Sequence, residues 1–164
     1  MKKILFFVVC CLLLVGCDNN EVTGNNDNPN TMTEEQIIDK LIETKNWITT
    51  VWNNGICEIK WYLETGTNSV GQTMDVDFVV QVFNDDYKKK DEYINFINLL
   101  NDDYALIKTS FNNAIEQADI IIEKVNLITP QPNTQTDYQE NITLFNQYFS
   151  TFYDKVVDLY TYGD

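Results

Sequence analysis

The side chains that ordinarily do chemistry are few in this sequence and poorly matched to one another. There is no His and no Arg, and all eleven basic residues are Lys. Ser-His-Asp and Cys-His nucleophile systems are therefore impossible in cis. The Glu-x-x-His ligands of di-iron bundles and the His ligands of zinc sites are missing as well. Carboxylates are plentiful, with 25 Asp plus Glu, and they pair at Asp75-Val76-Asp77, Asp85-Asp86 and Asp102-Asp103. Such pairs can do acid–base work or hold Ca²⁺. None has EF-hand spacing, and Asp102-Asp103 suits a helix start, where carboxylates meet unsatisfied N–H groups. Gly66 and Gly71 are isolated turn glycines with no phosphate cradle around them. The expectation is a protein without catalytic residues, metal site or cofactor.

What remains is aromatic. All three Trp lie between positions 47 and 61, in a chain that also holds nine Phe and nine Tyr. On one continuous helix, Leu41, Ile48, Trp52 and Ile59 share a stripe, and Trp47, Cys57 and Trp61 point well away from it. Exposed aromatic clusters mark partner surfaces, so Trp47, Cys57 and Trp61 are the candidate partner-binding residues. Net charge is −14. That disfavours nucleic-acid binding, which rests on cations neutralising phosphates, and it sets the chain against anionic headgroups.

The N-terminus reads as an address. Met1-Lys2-Lys3 is followed by an apolar run from Ile4 to Val15 and then Gly16-Cys17-Asp18. Twelve apolar residues span about 18 Å as helix, short of the roughly 20 residues a bilayer requires, so the pattern is that of a signal peptide. Leu14-Val15-Gly16-Cys17 resembles the lipobox of bacterial lipoproteins, with an aliphatic residue, a small residue before the cut, and Cys. The resemblance implies a diacylglyceryl group on the Cys17 sulfur, acyl chains of the palmitate kind, and cleavage between Gly16 and Cys17. It places the rest of the chain on the outer face of the cell membrane, held by its lipid. Asp18 would favour inner-membrane retention in an enteric-type Gram-negative host. Removing Lys2 and Lys3 leaves nine Lys and a charge of about −16, from −14 less two. Cys10 and Cys11 leave with the signal and Cys17 is lipidated, so only Cys57 keeps a thiol and no intramolecular disulfide is expected.

Three segments follow: a signal peptide over 1–16, the lipidated Cys and a polar, Asn-rich tether over 17–32, and a helical domain over 33–164. About 14 tether residues reach roughly 20 Å. Thr33-Glu34-Glu35-Gln36 is a capping box, and Ile37, Leu41, Ile48, Trp52, Gly55, Ile59 and Tyr62 or Leu63 continue one face to a Gly66 cap. A β-hairpin over 47–63, turning at Asn53-Asn54-Gly55, is the lesser alternative, because the helical phase runs through Gly55. A second helix over 74–100 carries Val76, Val80, Phe83, Tyr87, Ile94 and Ile97, with Lys90 weakening its middle and Lys88-Lys89-Lys90 solvated. The third, over 102–128, has Tyr104, Ile107, Phe111, Ala114, Ala118, Ile121, Val125 and Ile128 at steps alternating three and four. The fourth, over 137–162, carries Tyr138, Ile142, Phe145, Phe149, Phe152, Val156 and Leu159. These predict an all-α, up-down-up-down four-helix bundle about 40 Å long, with the small Ala114 and Ala118 admitting the Phe seam of the last helix.

The function these features suggest is a membrane-anchored surface lipoprotein whose non-enzymatic helical domain binds another protein. In outline that resembles the small helical lipoproteins of phages and mobile elements that act in exclusion or immunity. A small-ligand-binding lipoprotein with an aromatic pocket between helices is the alternative.

Overall fold

The computed structural model describes residues 29–132 and 138–162. The signal peptide, the Gly16–Cys17 cleavage and lipidation point, and the tether up to residue 28 lie outside the described residues. Among those described there is no strand, and the molecule is an all-α bundle. α1 (Glu34–Val51) starts on the capping box: the Thr33 hydroxyl accepts from Gln36 N–H at 3.2 Å and the Gln36 side chain accepts from Thr33 N–H at 2.8 Å. A π turn (Trp52–Ile56) joins it to α2 (Cys57–Thr65), which ends on Gly66 at φ 76°, where glycine meets no Cβ penalty. The 47–63 hairpin does not form. Asn53, Asn54 and Gly55 sit inside the helical rod, and Gly55 serves a close contact rather than a reverse turn: a Cβ there would lie 2.7 Å from Phe83 Cγ.

The second arm is not one helix. α3 (Val76–Tyr87), capped by Asp75, and α4 (Lys90–Leu99) are separated at Lys88-Lys89. Lys88 and Lys89 are exposed, but Lys90 is not solvated as expected. It turns inward to Asp119 at 2.8 Å on α5 (Ala105–Leu127). α6 (Gln139–Tyr162) closes the bundle.

Cross-links fix the topology. Lys40 pairs with Glu92 and Asn54 with Asp86; Asn84 bonds Asn126 and Asn112 bonds Asn98. Phe111 meets Phe152, and Trp52 stacks on Phe145. In each pair of neighbours, advancing along one arm means retreating along the next, so the arms run up, down, up, down. α5 and α6 make the most extensive pairing, with Ala114 and Ala118 fully buried beside Phe145 and Phe152. Ile128 departs from its expected place in that seam: α5 ends at Leu127, Ile128 is extended at φ −138°, and it stands 75 % exposed.

Candidate functional site

The three Trp have three different surroundings. Trp47, expected on an exposed face, is buried and belongs to the core. Its ring lies against Tyr93 (4.6 Å between centroids) and Tyr87 (6.1 Å), and its Nε1–H donates to the Asp86 carbonyl at 2.8 Å. That carbonyl belongs to the last turn of α3, where the break leaves C=O groups without helical partners. The indole thus seals the α3–α4 junction.

Trp47 is buried because α1 turns inward a face wider than the Leu41–Ile48 stripe, with Thr44, Lys45, Trp47 and Val51 buried beside it. Beyond it comes the π turn, in which Cys57 N–H bonds back to Trp52 O, five residues earlier. One extra residue in a turn rotates everything after it by roughly 100°. Trp47 and Trp61 would share a face on an uninterrupted helix; the π turn separates them. Cys57 and Trp61 are half-buried, away from Ile59 and Leu63, which α2 turns inward. Lys60 Nζ sits 5.1 Å from the Trp61 ring centroid. Trp52, expected in the core, is half-buried and covers Phe145 and Phe149 at 5.7 and 6.3 Å.

Two matching clusters flank Trp47. Tyr87 donates to Asp119 (3.0 Å), and Lys90 bonds the same carboxylate while lying over the Tyr87 ring. Tyr93 donates to Glu43 (3.1 Å), and Lys40 bonds Glu43 while lying over the Tyr93 ring. Burial, then the adjoining Asp119 or Glu43 charge, pushes both phenols well above their ordinary range. These are neutral donors that clamp the junction.

Lys45 is a further buried cation, 9 % exposed, between the rings of Tyr153 and Tyr160 at 5.0 and 5.4 Å. It donates to the Tyr160 hydroxyl and ties α1 to α6. An open cleft of 280 Å³ between the start of α5 and the end of α6 is lined by Tyr104, Leu106, Ile107 and Leu159, with Asp103, Lys155 and Asp158 at its mouth. No group of three or more metal-ligating side chains occurs among the described residues. None of the described helices is long and apolar enough to cross a membrane.

Large apolar residues are exposed at both ends of the bundle: Leu99, Leu106 and Tyr160 at 49, 52 and 45 % where the chain enters it, and a more exposed set at the other end. Val70 in the α2–α3 loop, Phe78 in the first turn of α3, and Leu127 and Ile128 at the end of α5 are 68, 61, 70 and 75 % exposed. Gly66 and Pro132 approach each other closely, which brings the α2–α3 and α5–α6 connections together at this end. The chain joins the bundle at the opposite end, where Pro29–Thr31 lies against α4. The sequence pattern left Val70, Phe78 and Leu127 unassigned and placed Ile128 in the buried seam of the third helix, where the structure does not put it. Val70 is a lone apolar residue in a polar loop, Phe78 lies off the Val76–Val80–Phe83 stripe, and Leu127-Ile128 is an apolar pair at a helix end. Each was a visible signal. Protein-family models, curated protein sequences and solved structures offer no match to this chain.

Proposed function

We propose that this chain is a lipid-anchored surface lipoprotein, held through Cys17 on the outer face of the cell membrane, whose helical domain is a non-enzymatic module for binding another protein. The observation that carries the reading is the placement of Val70, Phe78, Leu127 and Ile128 at the end of the bundle farthest from the tether. α5 alone has 23 residues, about 35 Å of helix, so an anchored domain holds those side chains well clear of the lipid. Large apolar residues on a soluble surface are costly unless something covers them in use. The lipobox-like Leu14-Val15-Gly16-Cys17 and the lack of any His support the anchor and the non-enzymatic reading respectively.

The alternative of a small-ligand pocket has less behind it. The 280 Å³ α5–α6 cleft and a 420 Å³ hollow on α6 lined by Thr151, Asp154, Lys155, Val157 and Asp158 are both open, and neither holds a Trp.

Two variants test the proposal together. Cys17→Ser should release the protein from membranes with its fold intact; if it still fractionates with membranes, the anchor reading fails. Leu127→Ser with Ile128→Ser should leave folding and membrane association unchanged while reproducing the cellular phenotype of deleting the protein. Full complementation of the deletion by that folded variant would move the function away from this end.

A further inference from the structure

We infer that the far end of the bundle receives a partner protein whose contact face is apolar and ringed by Lys or Arg; this rests on the protein-binding reading above. The charge around the apolar residues there is mostly acidic. Glu64, Asp75, Asp77, Glu123 and Glu140 are exposed and sit in the terminal turns or caps that meet at this end. Only Lys60 and Lys124 accompany them among the described residues, and Lys60 is held by Glu64 at 3.0 Å.

The other described cations lie elsewhere. Lys88 pairs with Asp85 at the α3–α4 break, beside Lys89, and Lys90 is tied to Asp119. Lys40, Lys45, Lys108 and Lys155 belong to the half nearer the tether. Helix dipoles do not offset the difference, because α3 and α6 begin at this end while α2 and α5 finish there, so positive and negative ends cancel. The result is an apolar centre with an acidic rim.

That rim selects among occupants. A second copy would bring the same acidic rim against its own, in chains that each carry −14, and like charges face to face cost affinity. An anionic lipid surface is repelled for the same reason. A basic-rimmed protein gains on both counts: its apolar side chains cover Phe78, Leu127 and Ile128, and its cations are steered in by the carboxylates.

The test uses the full lipidated protein in zwitterionic nanodiscs over two immobilised amphipathic peptides of equal length, one of Leu and Lys, the other of Leu and Glu, with empty discs as reference. The inference expects binding to the Leu–Lys peptide above empty discs and none to the Leu–Glu peptide. Phe78→Ser, Leu127→Ser and Ile128→Ser combined should weaken it about tenfold or more. Ile128→Ser alone should weaken it measurably, should the triple variant melt early. Asp77→Asn with Glu123→Gln and Glu140→Gln should weaken binding and flatten its salt dependence. Glu35→Gln with Asp39→Asn, exposed on α1 near the tether, should change nothing.

Equal loss from near-end and far-end neutralisation would overturn the inference, since charge alone would then explain binding. Binding no stronger than that of empty discs would overturn it too. If both peptides bind and both are lost in the apolar variants, charge selection is refuted while the protein-binding function stands.

Discussion

Replacing Gly55 with Ala pits two effects of opposite sign against each other within one helical turn. In an exposed helix Gly→Ala stabilises by about 1 kcal/mol, because Ala gives up less backbone freedom on folding. Here the new methyl would lie 2.7 Å from Phe83 Cγ and 2.9 Å from both Cβ and Cδ2. Carbon contacts are comfortable at about 3.5–4.0 Å, so the overlap is close to 0.8 Å. Phe83 is fully buried and packs edge-on against Tyr87 at 5.8 Å, and two of the three contacted atoms lie close to its backbone, so a rotamer change gives little relief. Overpacking of this kind costs about 1–3 kcal/mol, and more when nothing yields. Gly55→Ala is therefore expected to destabilise the domain by about 1–2 kcal/mol net, lowering Tm by roughly 2–8 °C. Urea unfolding followed by far-UV circular dichroism reads the sign directly. A double-mutant cycle with Phe83→Ala isolates the contact: in that background the Gly55→Ala penalty should fall by about 1 kcal/mol or more, since Cγ and Cδ2 are gone. A stabilising Gly55→Ala in the parent protein would refute the reasoning, for it would mean that α3 does not rest on the π turn.

The three Trp give a second comparison: Trp47→Ala should cost about 3–5 kcal/mol by emptying the α3–α4 junction, while Trp61→Ala should cost under about 1 kcal/mol. Equal costs in thermal melts would mean that Trp61 is also core. Alkaline titration supplies a third. Tyr87 and Tyr93 are raised in the folded state by burial and by the neighbouring Asp119 and Glu43, so above about pH 10 the unfolded chain loses protons that the folded chain keeps. Their stabilising contribution is complete below that pH and falls as pH rises through it. Phenolate absorbance should show these two tyrosines ionising only with unfolding, and a smooth titration of all phenols while the far-UV signal stays native would contradict it. Finally, monovalent salt should raise Tm modestly, because a net charge of −14 on a chain of 164 residues repels itself, with screening within about 10 Å at 0.1 M salt. An unchanged or lower Tm would show that the ion pairs outweigh that repulsion.

Which parts of this fold could be read in the sequence follows from how local their causes are. Thr33 with Gln36, Gly66 after α2, and Asp102-Asp103 at a helix start act within a few residues of themselves, and each sits where its spacing implied. The Phe seam of α6 and the Ala114–Ala118 face of α5 were legible for a related reason: an unbroken three-four rhythm leaves one way for a helix to bury its apolar residues. The failures all involve two distant segments acting on each other. The gap between α3 and α4 depends on Asp119, 29 residues beyond Lys90 and on another helix, and on the Trp47 indole that meets the freed carbonyl.

The separation of Trp61 from Trp47 has the same origin, and it shows how a periodic reading fails without any residue looking wrong. Ile48, Trp52, Gly55, Ile59 and Leu63 fit an uninterrupted helix about as well as one with an added residue, because spacings of three and four leave nearly a residue of slack over four turns. What resolves the ambiguity is Phe83, whose ring occupies the space beside Gly55. With that ring in place, the extra residue of the π turn swings Trp61 outward while Trp47 stays inward against Tyr87 and Tyr93. An aromatic pair spaced two heptads apart is thereby divided into a core wedge and a half-buried surface residue. The far-end apolar residues escaped for the converse reason: a surface patch assembled from a loop, a helix start and a helix end has no period in sequence. Only the antiparallel arrangement of the arms brings Val70, Phe78, Leu127 and Ile128 to one end, and only the point at which Pro29–Thr31 joins the bundle makes that end the one farthest from the tether.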